Sequence, residues 1–128
     1  MIQGGMLMLG YVTLGTNDLA RSAAFYDALA KEMGAGRTME TEKFIAWGAP
    51  NSAMVFLIQP ADGKPATVGN GVMAALVAKD AAQVDRIYKI AMSHGCKDEG
   101  APGDRGGGFY AAYFRDLDGN KLNAFHHG

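Results

Sequence analysis

Cysteine and histidine are scarce in this sequence, which holds one Cys and three His among 128 residues. A single Cys cannot form an internal disulfide or a thiolate zinc cluster, and we expect Cys96 to be a buried, inert thiol. His94 falls at the end of a predicted helix, where a cation suits the helix dipole. His126 and His127 are adjacent, so in a strand they point to opposite faces and cannot chelate one ion.

Strong charge and long apolar runs are also lacking. The formal net charge is −1 and the sequence pI is about 6.3, which gives no field for holding nucleic acid or an anionic membrane. No apolar run reaches the length of a transmembrane helix, and the first nine residues lack the basic start of a signal peptide. We therefore expect a cytoplasmic protein with neither a nucleic-acid nor a membrane partner.

Glycine is in excess, with 18 residues, or about twice the usual 7%. The densest stretch, GAPGDRGGG at residues 100–108, is not flanked by a strand–turn–helix pattern, so it is neither a dinucleotide fingerprint nor a phosphate loop. Such density allows a mobile flap over a ligand or a plain connection. The sequence leaves both alternatives open for the predicted loop at residues 99–108.

The first half of the chain reads as a strand, a helix and two further strands. Apolar residues from Met6 to Leu14 predict a strand. Asn17 and Asp18 are candidate N-caps, and Gly34 is the expected stop of an amphipathic helix. Two apolar runs separated by a Pro-Asn turn predict the later strands, Phe44–Gly48 and Ala53–Ile58.

A Pro- and Gly-rich linker at about residues 61–70 separates this half from a second one with the same pattern. There the sequence predicts a strand at residues 71–78, a helix capped by Asp80 and stopped by Gly95, and a hairpin at residues 109–125 around an Asp-Gly turn. Asp18 and Asp80 lie 62 residues apart, as do Tyr26 and Tyr88. The chain is thus predicted to be a single domain, 1–128, made of two modules at about 6–60 and 71–128.

Two stretches carry a resemblance to a known family. YVTLGTNDLARSAAFYDAL at residues 11–29 and FYAAYFRDLDGNKLNAF at residues 109–125 resemble the opening segment and closing hairpin of vicinal oxygen chelate proteins. That superfamily includes glyoxalases, bleomycin-resistance proteins and extradiol dioxygenases. The resemblance implies an α+β fold of two tandem βαβββ modules, with curved sheets around a cleft and helices outside. It also implies a homodimer.

The resemblance also implies where a metal ion would be bound. Metal-dependent members place His or Glu at four points on the inner sheet faces, where a divalent ion polarises adjacent substrate oxygens. Those positions fall here on Tyr11, Met73, Asn123 and, less certainly aligned, Phe56 or Ile58. Because these side chains do not suit a hard divalent ion, we expect no metal and no cofactor.

The favoured function is that of a metal-free, glyoxalase-like protein that binds a small organic molecule. Its predicted ligand-binding residues are Tyr11, Trp47, Phe56, Met73 and Asn123. The alternative is a lyase or isomerase with an altered metal site. Tyr110 and Tyr113 lie on opposite faces of their predicted strand, and the sequence does not settle which face is inward. Arg105, in the Gly-rich segment, is either an anion contact or a solvated loop residue.

Overall fold

A computed structural model describes residues 8–128. The chain divides into two compact units, of which the first ends at Ala66 and the second runs from Thr67 to Gly128. The division falls within the segment that the sequence marks as a linker. The elements of the first unit are β1 (Tyr11–Gly15), α1 (Leu19–Glu32), β2 (Gly36–Glu40), β3 (Phe44–Gly48) and β4 (Met54–Ile58). Those of the second are β5 (Ala74–Val77), α2 (Ala81–Ser93), β6 (Lys97–Asp104), β7 (Phe109–Arg115) and β8 (Lys121–His127).

Both units have the same sheet topology. The first sheet has the order β1-β4-β3-β2 and the second β5-β8-β7-β6. In each, the first strand pairs in parallel with the last strand, and the remaining neighbours are antiparallel. A strand that crosses through a helix and returns as a three-stranded meander produces this order. The prediction of an α+β fold with two tandem βαβββ modules is confirmed.

The helix boundaries follow the predicted capping signals. The side chain of Asp18 accepts a hydrogen bond from the backbone N–H of Arg21, and Asp80 accepts one from Gln83. Each aspartate thereby satisfies one of the amides that a helix start leaves unpaired. Gly34 and Gly95 follow the helices with φ of 73° and 87°, a left-handed conformation that glycine adopts without steric penalty.

Each helix covers one face of its own sheet. In the first unit the covered face carries Ile45, Trp47 and Leu57, all buried. In the second it carries Phe114 and Leu122 and three small or apolar neighbours, also fully buried. We call the opposite side of each sheet, which its own helix does not cover, the open face. Because side chains alternate along a strand, Tyr11, Thr13 and Phe56 lie on the open face of the first unit, and Ala75, Tyr113 and Asn123 on that of the second.

Three features differ from the sequence-based predictions. The first strand begins at Tyr11 rather than Met6, and Met6 itself lies outside the described residues. Strand β2 was missed because its polar residues, GRTME, show no apolar alternation. Strand β6 occupies most of the predicted loop, pairing with β7 through register shifts near Gly100 and Gly103. Bulged, glycine-rich strands carry no period-two signal, so the flap hypothesis retains only the turn at residues 105–108.

No helix in the part of the chain that the structure describes has the length and apolar character needed to cross a membrane.

Candidate functional site

The strand registers show which positions of the two units correspond. In the first unit Thr13 pairs with Phe56 across the parallel strands, and in the second Ala75 pairs with Asn123. Thr13 and Ala75 lie 62 residues apart, which is the offset of the sequence repeat. Phe56, and not Ile58, is therefore the counterpart of Asn123.

The open face of the first unit is aromatic around this position. The ring centroids of Tyr11 and Phe56 are 4.6 Å apart, and those of Phe44 and Phe56 are 5.5 Å apart. Tyr11 keeps 57% of its surface exposed. Tilted rings at such separations attract each other through their quadrupoles. This cluster offers apolar contact surface, together with the Tyr11 hydroxyl as its polar group.

Trp47 does not join these residues, although the sequence placed it with them. It lies on the helix-covered face of β3 and is only 4% exposed. Its ring stacks near Tyr26 of α1 at 5.3 Å, and its Nε1 donates a 2.8 Å hydrogen bond to Asp27. An indole that is buried and already hydrogen-bonded within its own unit is a core residue. We therefore remove Trp47 from the predicted site.

Asp27 links that core residue to the surface. Its carboxylate accepts the Trp47 hydrogen bond and two more from Arg37, with N–O distances of 2.9 and 2.8 Å. The bidentate Arg37 guanidinium lowers the pKa of Asp27, the Trp47 hydrogen bond adds to this effect, and partial burial opposes it. Two parallel charge-assisted hydrogen bonds fix the geometry more tightly than a single contact.

Replacing Asp27 with asparagine is expected to lower the free energy of unfolding at neutral pH by about 1–2 kcal/mol, because charged hydrogen bonds are lost at a partly exposed site. A carboxylate whose pKa is depressed in the folded state stabilises the protein above its unfolded pKa, and that stabilisation is lost as pH falls through the folded value. The gap between wild type and Asp27→Asn should therefore narrow in acid. Urea titrations at pH 7 and at pH 3 measure it, and an equal gap at both would contradict the assignment.

Asn123 is the distinctive group on the open face of the second unit. It is 1% exposed, and its Oδ1 is buried without a hydrogen-bond partner among residues 8–128. Leaving a buried acceptor unpaired costs about 1–3 kcal/mol. Most buried polar atoms in folded proteins are satisfied, so such an exception requires a cause. A ligand that donates a hydrogen bond to this oxygen would supply one.

Two cations lie beside Asn123 around a single aromatic ring. Tyr113 pairs directly with Asn123 across β7 and β8, and its ring lies 5.5 Å from the Arg105 guanidinium carbon and 5.6 Å from Lys121 Nζ. The structure thus settles the face of Tyr113, which sequence left open. By contrast, Tyr110 points to the helix side and donates a 2.7 Å hydrogen bond to Asp85 of α2.

Met73 immediately precedes β5 and is 42% exposed. Alternation continued one residue upstream from Ala75 places Met73 on the open face, next to the position of Lys121 on β8. A flexible thioether at the edge of a polar site provides adaptable apolar contact. Sequence reasoning missed Lys121, although it stands two residues before Asn123 and so shares its face.

The residues at the four metal positions do not fit a divalent ion. A phenol, a phenyl ring, a thioether and a neutral amide offer neither the carboxylates nor the imidazoles that such ions select. Within residues 8–128 no three His, Cys, Asp or Glu side chains come close enough together to hold a metal ion. His126 and His127 each lie near a backbone carbonyl, of Ala78 and Gly107 respectively.

Cys96 is 7% exposed, and burial together with the negative charge of Asp116 raises its pKa to about 12. A thiol that stays protonated at neutral pH is a poor nucleophile. The structure thus agrees with the expected inert thiol. His94 lies beside it in sequence, but its Nδ1 is 3.0 Å from the carbonyl oxygen of Ile90.

Concave surface is found elsewhere in the first unit. A cavity of about 330 Å³ is lined by Thr16, Asn17, Lys43, Gln59 and the segment after it, and a second of about 530 Å³ lies near the start of α1. None of the residues predicted to bind a ligand lines either cavity. Both lysines of the first cavity are exposed, and neither cavity is lined by Asn123, which holds the buried unpaired atom.

Comparison with known proteins points to one family. The model of the Glyoxalase/Bleomycin resistance protein/Dioxygenase superfamily matches residues 8–124. A glyoxalase/bleomycin resistance protein from Albidiferax ferrireducens T118 is 34% identical, with a TM-score of 0.89, over 95% of this chain and 100% of that one. A hypothetical protein from S. aureus is 26% identical, with a TM-score of 0.72, over 95% of both chains.

A more distant likeness shows the fold alone. A lactoylglutathione lyase from Agrobacterium tumefaciens shares 22% identity and a TM-score of 0.69, over 92% of both chains. A search of the curated proteins found no match.

Proposed function

Because the chain belongs to the glyoxalase/bleomycin resistance protein/dioxygenase superfamily, we propose that it binds a small organic ligand without a metal ion, at the open face of its second unit. Asn123 is the central recognition group in this proposal. Tyr11, Phe56 and Met73 remain predicted ligand contacts, and Trp47 is no longer among them.

The replaced metal positions support a metal-free mode of binding. A divalent ion would have to be held by Tyr11, Phe56, Met73 and Asn123, which between them carry no carboxylate and no imidazole. A lyase or isomerase reaction of the glyoxalase type uses such an ion as a Lewis acid. Recognition by hydrogen bonding and apolar contact needs only the side chains that are present.

The observation that carries the proposal is the buried, unpaired Oδ1 of Asn123. An unsatisfied buried acceptor raises the free energy of the free protein, and a ligand that pairs with it removes that penalty on binding. The counterpart of Asn123 in the first unit is an aromatic ring, so directional recognition is expected in the second unit only.

A thermal-shift screen of small carboxylic acids, phenols, alcohols and amides, run in excess EDTA, tests the proposal. We expect at least one class to raise the melting temperature of the wild-type protein but not of Asn123→Leu. The matched control is Asn70→Leu, the same substitution at an exposed loop position, which should respond like the wild type. Metal analysis of untagged protein should find far less than one Zn, Ni or Fe per chain. Stabilisation by these metals alone, lost in Asn123→Leu, would overturn the proposal and favour the lyase or isomerase alternative.

We also propose that the protein forms a homodimer through the edge at β5. This strand is at the edge of its sheet, and Val77 on it is 68% exposed. An edge strand offers unpaired backbone groups, and exposed apolar side chains add a reason to associate.

Replacing Val77 with lysine should convert a dimer into a monomer, because a charge at an edge strand opposes pairing with a second strand. Light scattering coupled to size-exclusion chromatography measures the mass directly. Lys89→Gln on the exposed surface of α2 is the control and should leave the mass unchanged. A wild-type protein that is monomeric at all accessible concentrations would refute the dimer.

A further inference from the structure

From the charges around Asn123 we infer the chemical class of the ligand: a small organic anion that carries a hydroxyl or N–H donor close to its negative group. This inference deepens the proposed function and rests on it. It requires that the donor pair with Asn123 Oδ1 and that the anion lie between Arg105 and Lys121.

The donor requirement follows from the atom that is unpaired. An amide oxygen only accepts hydrogen bonds, and this one is buried on the open face without a partner within residues 8–128. A ligand that presents a carbonyl or ether oxygen there would leave the acceptor unsatisfied. A hydroxyl or N–H group satisfies it.

The anion requirement follows from two cations that have no acidic partner. In the described part of the chain no carboxylate forms an ion pair with Arg105 or Lys121, and their charges meet at the ring of Tyr113. One Nη of Arg105 donates to the backbone oxygen of Ala101 at 2.8 Å, which leaves other guanidinium donors available. Arg115, on the same face, is already paired with Glu99 at 3.6 Å.

The acidic residues of the neighbouring strands and helix lie on the other side of this sheet. Asp85 accepts a hydrogen bond from Tyr110, and Asp98 raises the pKa of Tyr88 of α2, an effect second to that of burial. The sheet thereby separates charge, with carboxylates toward the helix and unpaired cations on the open face. A chain with a net charge of −1 can thus present a locally positive surface.

The spacing limits the size of the ligand. Asn123 and Tyr113 are direct cross-strand partners, a relation that places their Cβ atoms about 5 Å apart. Lys121 is two residues from Asn123 on the same strand, or about 7 Å. A donor and an anionic group separated by two or three bonds fit this interval, as in a 2-hydroxy acid.

Binding of glycolate, lactate and mandelate, measured by calorimetry in EDTA, tests the inference. We expect at least one of them to bind, and its methyl ether and its neutral amide each to bind about tenfold more weakly or worse, since each lacks one charged or donating group. Arg105→Gln and Lys121→Gln should each weaken the acid about tenfold. Lys89→Gln, which removes the same charge from the helix side, should not.

The possible failures are distinguishable. If the amide of the acid binds as tightly as the acid, and Asn123→Leu abolishes both, the anion inference is wrong while the proposed function stands. If no 2-hydroxy acid binds but other organic compounds stabilise the wild type and not Asn123→Leu, the ligand class is again wrong. If a 2-hydroxy acid binds equally to wild type, Asn123→Leu, Arg105→Gln and Lys121→Gln, the open face of the second unit is not its site and both proposals fall.

Discussion

Truncation of Phe114 to alanine is expected to lower the free energy of unfolding by about 3–5 kcal/mol, the usual range for removing a buried aromatic ring. Phe114 lies on the helix-covered face of β7 and is fully buried. Its neighbour Tyr113 lies on the open face, where the ring is only partly buried. Tyr113→Ala should therefore cost much less, and the pair measures which face of the second sheet is core.

Urea unfolding of the two variants and the wild type gives the comparison. The assignment of faces, on which the position of Asn123 depends, predicts a loss at Phe114 that is at least twice that at Tyr113. Equal losses, or a larger loss at Tyr113, would mean that the open face is packed as core.

Trp47 is expected to act on stability and not on ligand binding. Trp47→Ala should lower the free energy of unfolding by about 3–5 kcal/mol, because it removes a buried indole and its hydrogen bond to Asp27. Trp47→Phe keeps most of the apolar contact and should lose only about 1–2 kcal/mol, the value of a hydrogen bond with a charged partner. The milder variant should bind every ligand of the wild type with unchanged affinity.

Calorimetry of Trp47→Phe with the tightest-binding compound of the screen checks the second half of this expectation. Phe56→Leu, on the open face of the same sheet, is the companion variant. A large loss of affinity in Trp47→Phe with little loss of stability would return Trp47 to the ligand site.

The helices and the hairpin could be predicted because their signals are local. Asp18 and Asp80 cap their helices through hydrogen bonds to residues three positions away, and Gly34 and Gly95 end them by backbone conformation. The Asp-Gly turn is likewise local: Asp116 Oδ1 accepts from the amides of Asp118 and Asn120. The repeat offset of 62 residues then predicted corresponding positions that the strand registers reproduce.

What the sequence could not supply depends on contacts between distant segments. Trp47 was placed on the wrong face because alternation alone does not say which side of a strand meets a helix, whereas its contact with Asp27 does. The strand β6 was taken for a loop because its glycines interrupt the alternation. The burial of Asn123 had no local signal, since an amide beside a lysine is ordinarily exposed.

The comparison of Asn123→Leu with the wild type tests the central claim most directly, that a buried amide oxygen is kept unpaired for a ligand. Replacing an unsatisfied acceptor with an apolar group of similar size is neutral or stabilising in a folded protein. The account therefore predicts a variant at least as stable as the wild type in urea, which no organic compound of the screen stabilises further. A variant that is less stable by more than about 1 kcal/mol and still responds to the same compounds would show that Asn123 serves the fold, and would contradict the account.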